Sequence, residues 1–228
     1  EEQVALLHRA ADARGRGRSP VDAVLSTHAH MGHYVGLAHF GREVAGSKDV
    51  PLHVSPRFAE FLRTQGPWSQ LVALGQVTLK EFAFGVAFEP WPGLSVVAHA
   101  VPHRDEFSDT AAFVVRGPRR AVLFVPDVDA WDRAPGLLER LLDGVDVAYL
   151  DGTFYDGSEH PGRDLREIRH PFMTTTMTLL QDRARTRPGS IRFIHLNHTN
   201  PALSDPSLRL RVRAAGFEIA EQGERVAL

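Results

Sequence analysis

The sequence predicts a mixed α/β fold, a single layered domain of sheets flanked by helices over residues 1–228. Three observations predict it. Short apolar, β-branched runs alternate with stretches of helical period along the chain. No internal repeat, low-complexity tract or linker divides it. Polar clusters bearing His and Asp fall immediately after apolar runs, and α/β proteins place their chemistry in such strand-end loops.

The first helix is expected over Glu2–Ala13, where Val4, Leu6, Leu7, Ala10 and Ala11 share a face and Gly15, Gly17 and Pro20 end it. Val21–Ser26 reads as a short buried strand and Val35–Val44 as a helix. Leu52–Ser55 reads as a strand, Pro56 opens a helix to Thr64, and Pro67–Leu74 is a further short helix. Alternation predicts strands within Gln76–Phe88 and Leu94–Val101, with Pro90-Trp91-Pro92-Gly93 as the turn between them. Ala111–Arg116 and Arg120–Val125 form a hairpin about Gly117-Pro118. Pro135–Leu142 is helical, Val145–Leu150 is a buried strand, and His170–Arg185 is helical. Ile191–Leu196 is a strand, Asp205–Ala215 a helix, and Phe217–Ala220 and Arg225–Leu228 are closing strands.

Composition narrows the chemistry. A net charge of −2 gives no electrostatic case for nucleic acid, and the run Arg14, Arg16, Arg18 reads as a solvated loop. There is no Cys, so disulfides, thiolate metal sites and a Cys nucleophile are excluded, and any metal must be held by His, Asp or Glu. No apolar run approaches the roughly 18 residues that span a membrane. The compartment cannot be read from this sequence.

The richest stretch is Ser26-Thr27-His28-Ala29-His30-Met31-Gly32-His33, at the end of the first strand. His-x-His on an extended segment points two imidazoles the same way, and a helix starting just after swings the third toward them. With 12 His in 228 residues, chance alone gives this spacing in about one chain in thirty, so it needs partners elsewhere. Four clusters supply candidates. They are His103-Arg104-Asp105-Glu106, Asp127-Val128-Asp129, Asp151-Gly152-Thr153 and Asn197-His198-Thr199-Asn200, each after an apolar run.

The ordered set His28-Ala29-His30-Met31-Gly32-His33, His103, Asp127 and His198 resembles the ligand set of the metallo-β-lactamase superfamily. The longer stretches resemble, more narrowly, its pyrroloquinoline quinone biosynthesis protein B-like members: Thr27–Tyr34, Val101–Thr110, Phe124–Trp131, Asp151–Phe154 and Leu196–Pro201. The resemblance runs from about Val21 to the C-terminus. It implies an αββα sandwich with a one- or two-metal site at one edge. It implies His28, His30 and His103 on a first metal, Asp127 bridging, and His33 and His198 on a second. Zinc is the expected ion, with iron and manganese as other occupants.

Where that pattern has Asp between the second and third His, this chain has Gly32, which offers no ligating atom. Either the second site is weak or empty, which gives a mononuclear enzyme, or another group or water takes the missing place. In related phosphodiesterases a His between the bridging Asp and the last ligand acts as general acid, which makes His170 the candidate proton donor. Asp105, Glu106, Asp129 and Asp151 are candidates for orienting ligand imidazoles. His8, His39, His53, His99, His160 and His195 match no ligand position and are assigned to packing or surface. His195 is placed in the Ile191–Leu196 strand, facing away from His198.

The resemblance implies a metal-dependent hydrolase, with Asp127 and His170 as its catalytic residues and a phosphodiester, ester or amide-like bond in a small-molecule or peptide substrate. It also admits an iron-dependent oxygenase, or a carrier, in quinone-cofactor synthesis. The chain opens on Glu1-Glu2-Gln3, as a trimmed product would. The family's first strands are therefore expected to be missing, leaving one sheet short and an apolar face exposed.

Overall fold

The computed structural model describes residues 21–228. The expected helix over Glu2–Ala13, its Gly15, Gly17 and Pro20 stop, the basic run through Arg18 and His8 lie outside the described residues. The chain divides into two compact units, one ending at Ala100 and including Asp105–Ala111, the other made of Val101–Arg104 and Ala112–Leu228.

In the first unit β1 (Val24–Leu25), β2 (Val50–Val54) and β3 (Val77–Glu81) form a parallel sheet in that order. Helix α1 (Met31–Tyr34) gives way to a 3₁₀ turn over Val35–Phe40. The helix expected over Val35–Val44 thus starts earlier and stops earlier. Gly41, with ψ at 157°, turns the chain out, and a Cβ there would lie 2.9 Å from the Ala38 carbonyl. Helix α2 (Pro56–Thr64) begins where Ser55 Oγ accepts the Phe58 amide at 3.2 Å and Pro56 fills the first turn. It buries Phe58, Ala59 and Leu62. At roughly 1.5–3 kcal/mol for each large side chain, that face holds the helix more firmly than its cap. Helix α3 (Trp68–Ala73) adds Trp68 and Leu71 to the same core as Leu52 and Val54.

The β pattern over Gln76–Phe88 splits at Gly85, whose φ is 76°. It continues as β4 (Ala87–Trp91), paired antiparallel with β5 (Leu94–Ala100) through a turn at Pro92 and Gly93.

In the second unit β6 (Ala111–Arg116), whose first residue belongs to the other unit, and β7 (Ala121–Val125) form the expected hairpin. Strands β8 (Val147–Asp151), β9 (Ile191–Ile194) and β10 (Glu218–Ile219) then add in parallel. Helices α4 (Leu137–Leu142), α5 (Met173–Leu179), α6 (Gln181–Thr186) and α7 (Pro206–Ala214) bury Leu141, Met173, Ala184 and Val212 in the same core as Leu123, Leu150 and Phe193. The helix expected over His170–Arg185 begins only at Met173, because Pro171 holds the preceding residue out of helical geometry. It breaks at Leu180 into α5 and α6. Arg225–Leu228 form no strand.

Candidate metal centre

In the first unit β1 delivers the chain into Thr27–His30, which the Asp105–Ala111 segment pins. The Ala111 amide donates to the Thr27 carbonyl at 2.9 Å, and the Ala29 amide to Ser108 Oγ at 2.8 Å. Three imidazoles converge there. The His28 ring centroid is 4.5 Å from that of His30 and 4.3 Å from that of His33, which rides on α1.

The hydrogen bonds sort the ring nitrogens. His30 Nε2 is 3.0 Å from Glu106 Oε2. An ionised carboxylate only accepts, so Nε2 carries the proton and Nδ1 presents its lone pair. That lone pair faces His28 Nε2 at 3.0 Å, while His28 Nδ1 is held 3.1 Å from Thr27 Oγ1. Two nitrogens on one tetrahedral zinc stand about 3.3 Å apart, given Zn–N bonds of about 2.0–2.1 Å. The pair therefore fits a shared cation. Asp105, weighed beside Glu106 for orienting an imidazole, pairs instead with Arg57 at 3.4 Å.

In the second unit His103 Nδ1 faces Asp129 Oδ1 at 3.3 Å, which turns His103 Nε2 to the Asp127 side. Asp129 is fixed in turn by Arg133 at 3.0 Å and Arg169 at 3.1 Å. Asp127, at the end of β7, has a side chain only 3% exposed. Its Oδ1 is 3.8 Å from His103 Nε2 and 3.4 Å from His170 Nδ1, and its Oδ2 is 3.7 Å from His195 Nε2. The His103 and His195 separations suit donors that share an ion, whereas His170 Nδ1 is taken up by Asp151. Asp127, His170 and His195 each offer a ligand atom within 4.8 Å of the other two.

Asp151, at the end of β8 and fully buried, organises this group. Its Oδ1 accepts the Thr153 amide at 2.9 Å and hydroxyl at 2.7 Å. Its Oδ2 accepts the Val128 amide at 3.1 Å and His170 Nδ1 at 2.8 Å. Because the Thr153 hydroxyl gives its proton to Asp151, it accepts from His195 Nδ1 at 2.9 Å, and His195 Nε2 keeps its lone pair toward Asp127. Burial works against a charged His170, but the hydrogen bond and charge of Asp151, with the charge of Asp127, outweigh it. Its pKa lies above the ordinary histidine range.

His198, expected at the last ligand position, joins no His–carboxylate group among the described residues, whereas His195 does; both are exposed. Strand β9 stops at Ile194, one residue earlier than the two-residue alternation requires. His195 then takes a left-handed φ of 60° and turns toward Asp127. Gly152 makes the approach possible, since a Cβ there would lie 2.8 Å from Phe193 Cβ. Asn200 holds the loop down, donating to the Gly152 carbonyl at 2.8 Å, and the Asn197 amide donates to that of Thr153 at 3.0 Å. The Asn-x-x-Asn bracketing His198 was the available signal: both asparagines shape a turn.

A family model described as "Beta-lactamase superfamily domain" matches residues 2–182. Among curated proteins, coenzyme PQQ synthesis protein B of Methylobacterium sp. (strain 4-46) is 29% identical over 235 residues, covering 95% of this chain and 76% of that protein. The crystal structure of Zn(2+)-bound PqqB from Methylobacterium extorquens superposes with a TM-score of 0.77 at 23% identity, covering 94% of this chain and 76% of that one. Two more distant structures share the fold. A diphosphatase from the PhnP family has a TM-score of 0.59 at 18% identity, over 90% of this chain and 69% of that one. The diiron β-hydroxylase CmlA of Streptomyces venezuelae has a TM-score of 0.55 at 16% identity, over 87% and 43%. Identities this low in the solved structures establish the mixed α/β fold and nothing finer. With the family model spanning most of its length, the chain belongs to the metallo-β-lactamase superfamily.

Proposed function

We propose that the chain is a metal-dependent hydrolase serving the synthesis of pyrroloquinoline quinone. The observation that carries the metal is the sorting of ring nitrogens. His30, His103 and His195 each have one nitrogen engaged by an oxygen of their own unit and turn the other toward a further candidate ligand, His28 or Asp127. Structures tether metal-bound imidazoles in this way. In our reading His28, His30 and His33 in the first unit, and His103, Asp127 and His195 in the second, are the residues that would hold metal. Gly32 withholds a donor that the family pattern supplies, so one ion per chain is the expected complement. Imidazole and carboxylate donors suit zinc, the ion bound by PqqB from Methylobacterium extorquens, and also accept iron or manganese.

When bound, such an ion polarises the scissile group and brings the pKa of a water toward neutrality. The residues then divide the work. Asp127 holds its carboxylate at the centre of the group. The hydrogen bond and charge of Asp151 favour the protonated form of His170 and engage Nδ1, which leaves Nε2 to protonate a leaving group. The bond cleaved is a phosphodiester, ester or amide in a small molecule or peptide. The place in quinone-cofactor synthesis rests on the name of the curated relative.

A second reading, oxygen-dependent hydroxylation with iron, draws on the diiron β-hydroxylase that shares the fold. Purified protein reconstituted separately with zinc and with iron distinguishes the two. Hydrolysis of a substrate panel by the zinc form supports our proposal. Oxygen consumption by the iron form, with an inert zinc form, replaces it with the second reading. Binding of quinone precursors without turnover by either form replaces both with a carrier.

A further inference from the structure

The second unit contains a cavity of about 270 Å³ against His170. Arg104, Arg163 and Arg169 line it with a single carboxylate, Glu167. Arg169 is committed to Asp129 at 3.1 Å, but Arg104 and Arg163 make no ion pair with a carboxylate among the described residues. Two guanidinium groups therefore bring charge to the cavity that the fold itself does not use.

The remaining walls are built for a ligand rather than for bulk water. Phe154 and Ile168 are 9% and 8% exposed and give apolar surface. The His160 ring stands edge-on to Phe154 with centroids 4.3 Å apart, and its Nε2 is buried without a hydrogen-bond partner among the described residues. A buried polar atom of that kind costs free energy unless something fills the space beside it. The loop carrying His160 is fixed in place. Glu159 accepts the amides of Tyr155 and Gly157, and Gly157, at φ 90°, lets the backbone press on Leu165 and Phe172 where a Cβ would meet Phe172 at 2.9 Å. Pockets for whole drug-sized ligands run to roughly 300–1,000 Å³, so this one takes a group, not a molecule.

We propose that this cavity is the subsite for an anionic group of the substrate, a carboxylate or phosphoryl, gripped by Arg104 and Arg163 beside His170. Guanidinium forks match both groups bidentately, and neither requires the ion. The inference rests on our reading of the chain as a hydrolase. An anion seated here lies beside the His170 ring that lines the same cavity.

The test is calorimetric titration of the metal-loaded protein with inorganic phosphate and with succinate. The proteins are wild type, Arg104→Gln, Arg163→Gln and Arg163→Lys, with metal content measured on each. Each Gln variant is expected to weaken binding about tenfold, about 1.4 kcal/mol, with Lys in between and metal content unchanged. Loss confined to succinate assigns a carboxylate, and loss confined to phosphate a phosphoryl group. Equal binding by all four proteins, as an anion sitting on the metal would give, overturns the subsite. So does a wild type that binds neither probe. Failure of the hydrolase reading shows separately, as absent metal or absent turnover with arginine-dependent anion binding intact.

Discussion

His170 Nδ1 lies 2.8 Å from Oδ2 of Asp151, a carboxylate with no exposed surface that also receives the Val128 amide and both donors of Thr153. One buried charge thus sets the proton on His170, the hydroxyl direction of Thr153 and, through it, the tautomer of His195.

Asp151→Asn should disturb all three. The variant keeps the shape but loses the charge, so the His170 pKa should fall from its raised position toward or below the ordinary histidine value. The sign follows from linkage. A raised histidine contributes stability fully below its unfolded pKa of about 6.5, and loses it as pH rises through the folded value. The stability gap between wild type and Asp151→Asn should therefore be wider at pH 6 than at pH 9. Proton NMR titration of the imidazole and urea unfolding at both pH values check this; an unshifted His170 would contradict it.

His53 should behave in the opposite sense. Its ring stacks on Phe88 with centroids 5.0 Å apart, and burial, then the Lys80 charge, pushes its pKa down. A depressed histidine gives stability that is present above about pH 6.5 and lost as pH falls toward the folded value. His53→Phe keeps the stacking and removes the titration. Between pH 7.5 and pH 5, wild type should lose more stability in urea than the variant does.

Gly32→Asp should add metal without harming the fold. Nothing lies within 4 Å of a Cβ at Gly32, and an acidic residue in the first turn of α1 favours the helix dipole. Metal content should rise by up to about one ion per chain, with a melting temperature at or above wild type. An unchanged ion count would show that the second position lacks more than this one carboxylate.

Gly152→Ala tests the packing that turns His195 inward. The new methyl meets Phe193 Cβ at 2.8 Å and the Ile194 carbonyl at 3.0 Å, so strand or loop must shift. Overpacking of this kind costs about 1–3 kcal/mol. Chemical denaturation should show that loss, and metal affinity should fall with it.

Much of this was legible in the sequence because strand ends are legible. An apolar run followed by His or Asp led to His28 and His30, to His103, to Asp127 and to Asp151. The displaced helix starts were less legible. Pro171 delayed α5 to Met173, and Gly41 cut short the turn after α1. The different placement of His195 and His198 has a single cause. Periodicity assumes that a strand continues, and β9 ends one residue too soon for the rule to apply. Thr153 went unassigned because a hydroxyl acquires a role only through the carboxylate beside it. The cavity arginines went unassigned because they come together only when residues 104 and 163 meet in space.

The most direct test of the metal centre is elemental analysis of natively purified wild type beside His28→Ala. His28 is 1% exposed, and its Nε2 faces His30 Nδ1 at 3.0 Å, so its loss removes half of that pair. We expect zinc at about one ion per chain in wild type and at least about a tenfold loss in a folded variant, since removing even a partner that only orients a metal ligand costs about 10–100-fold in affinity. A folded His28→Ala protein that retains its full metal content would contradict the account.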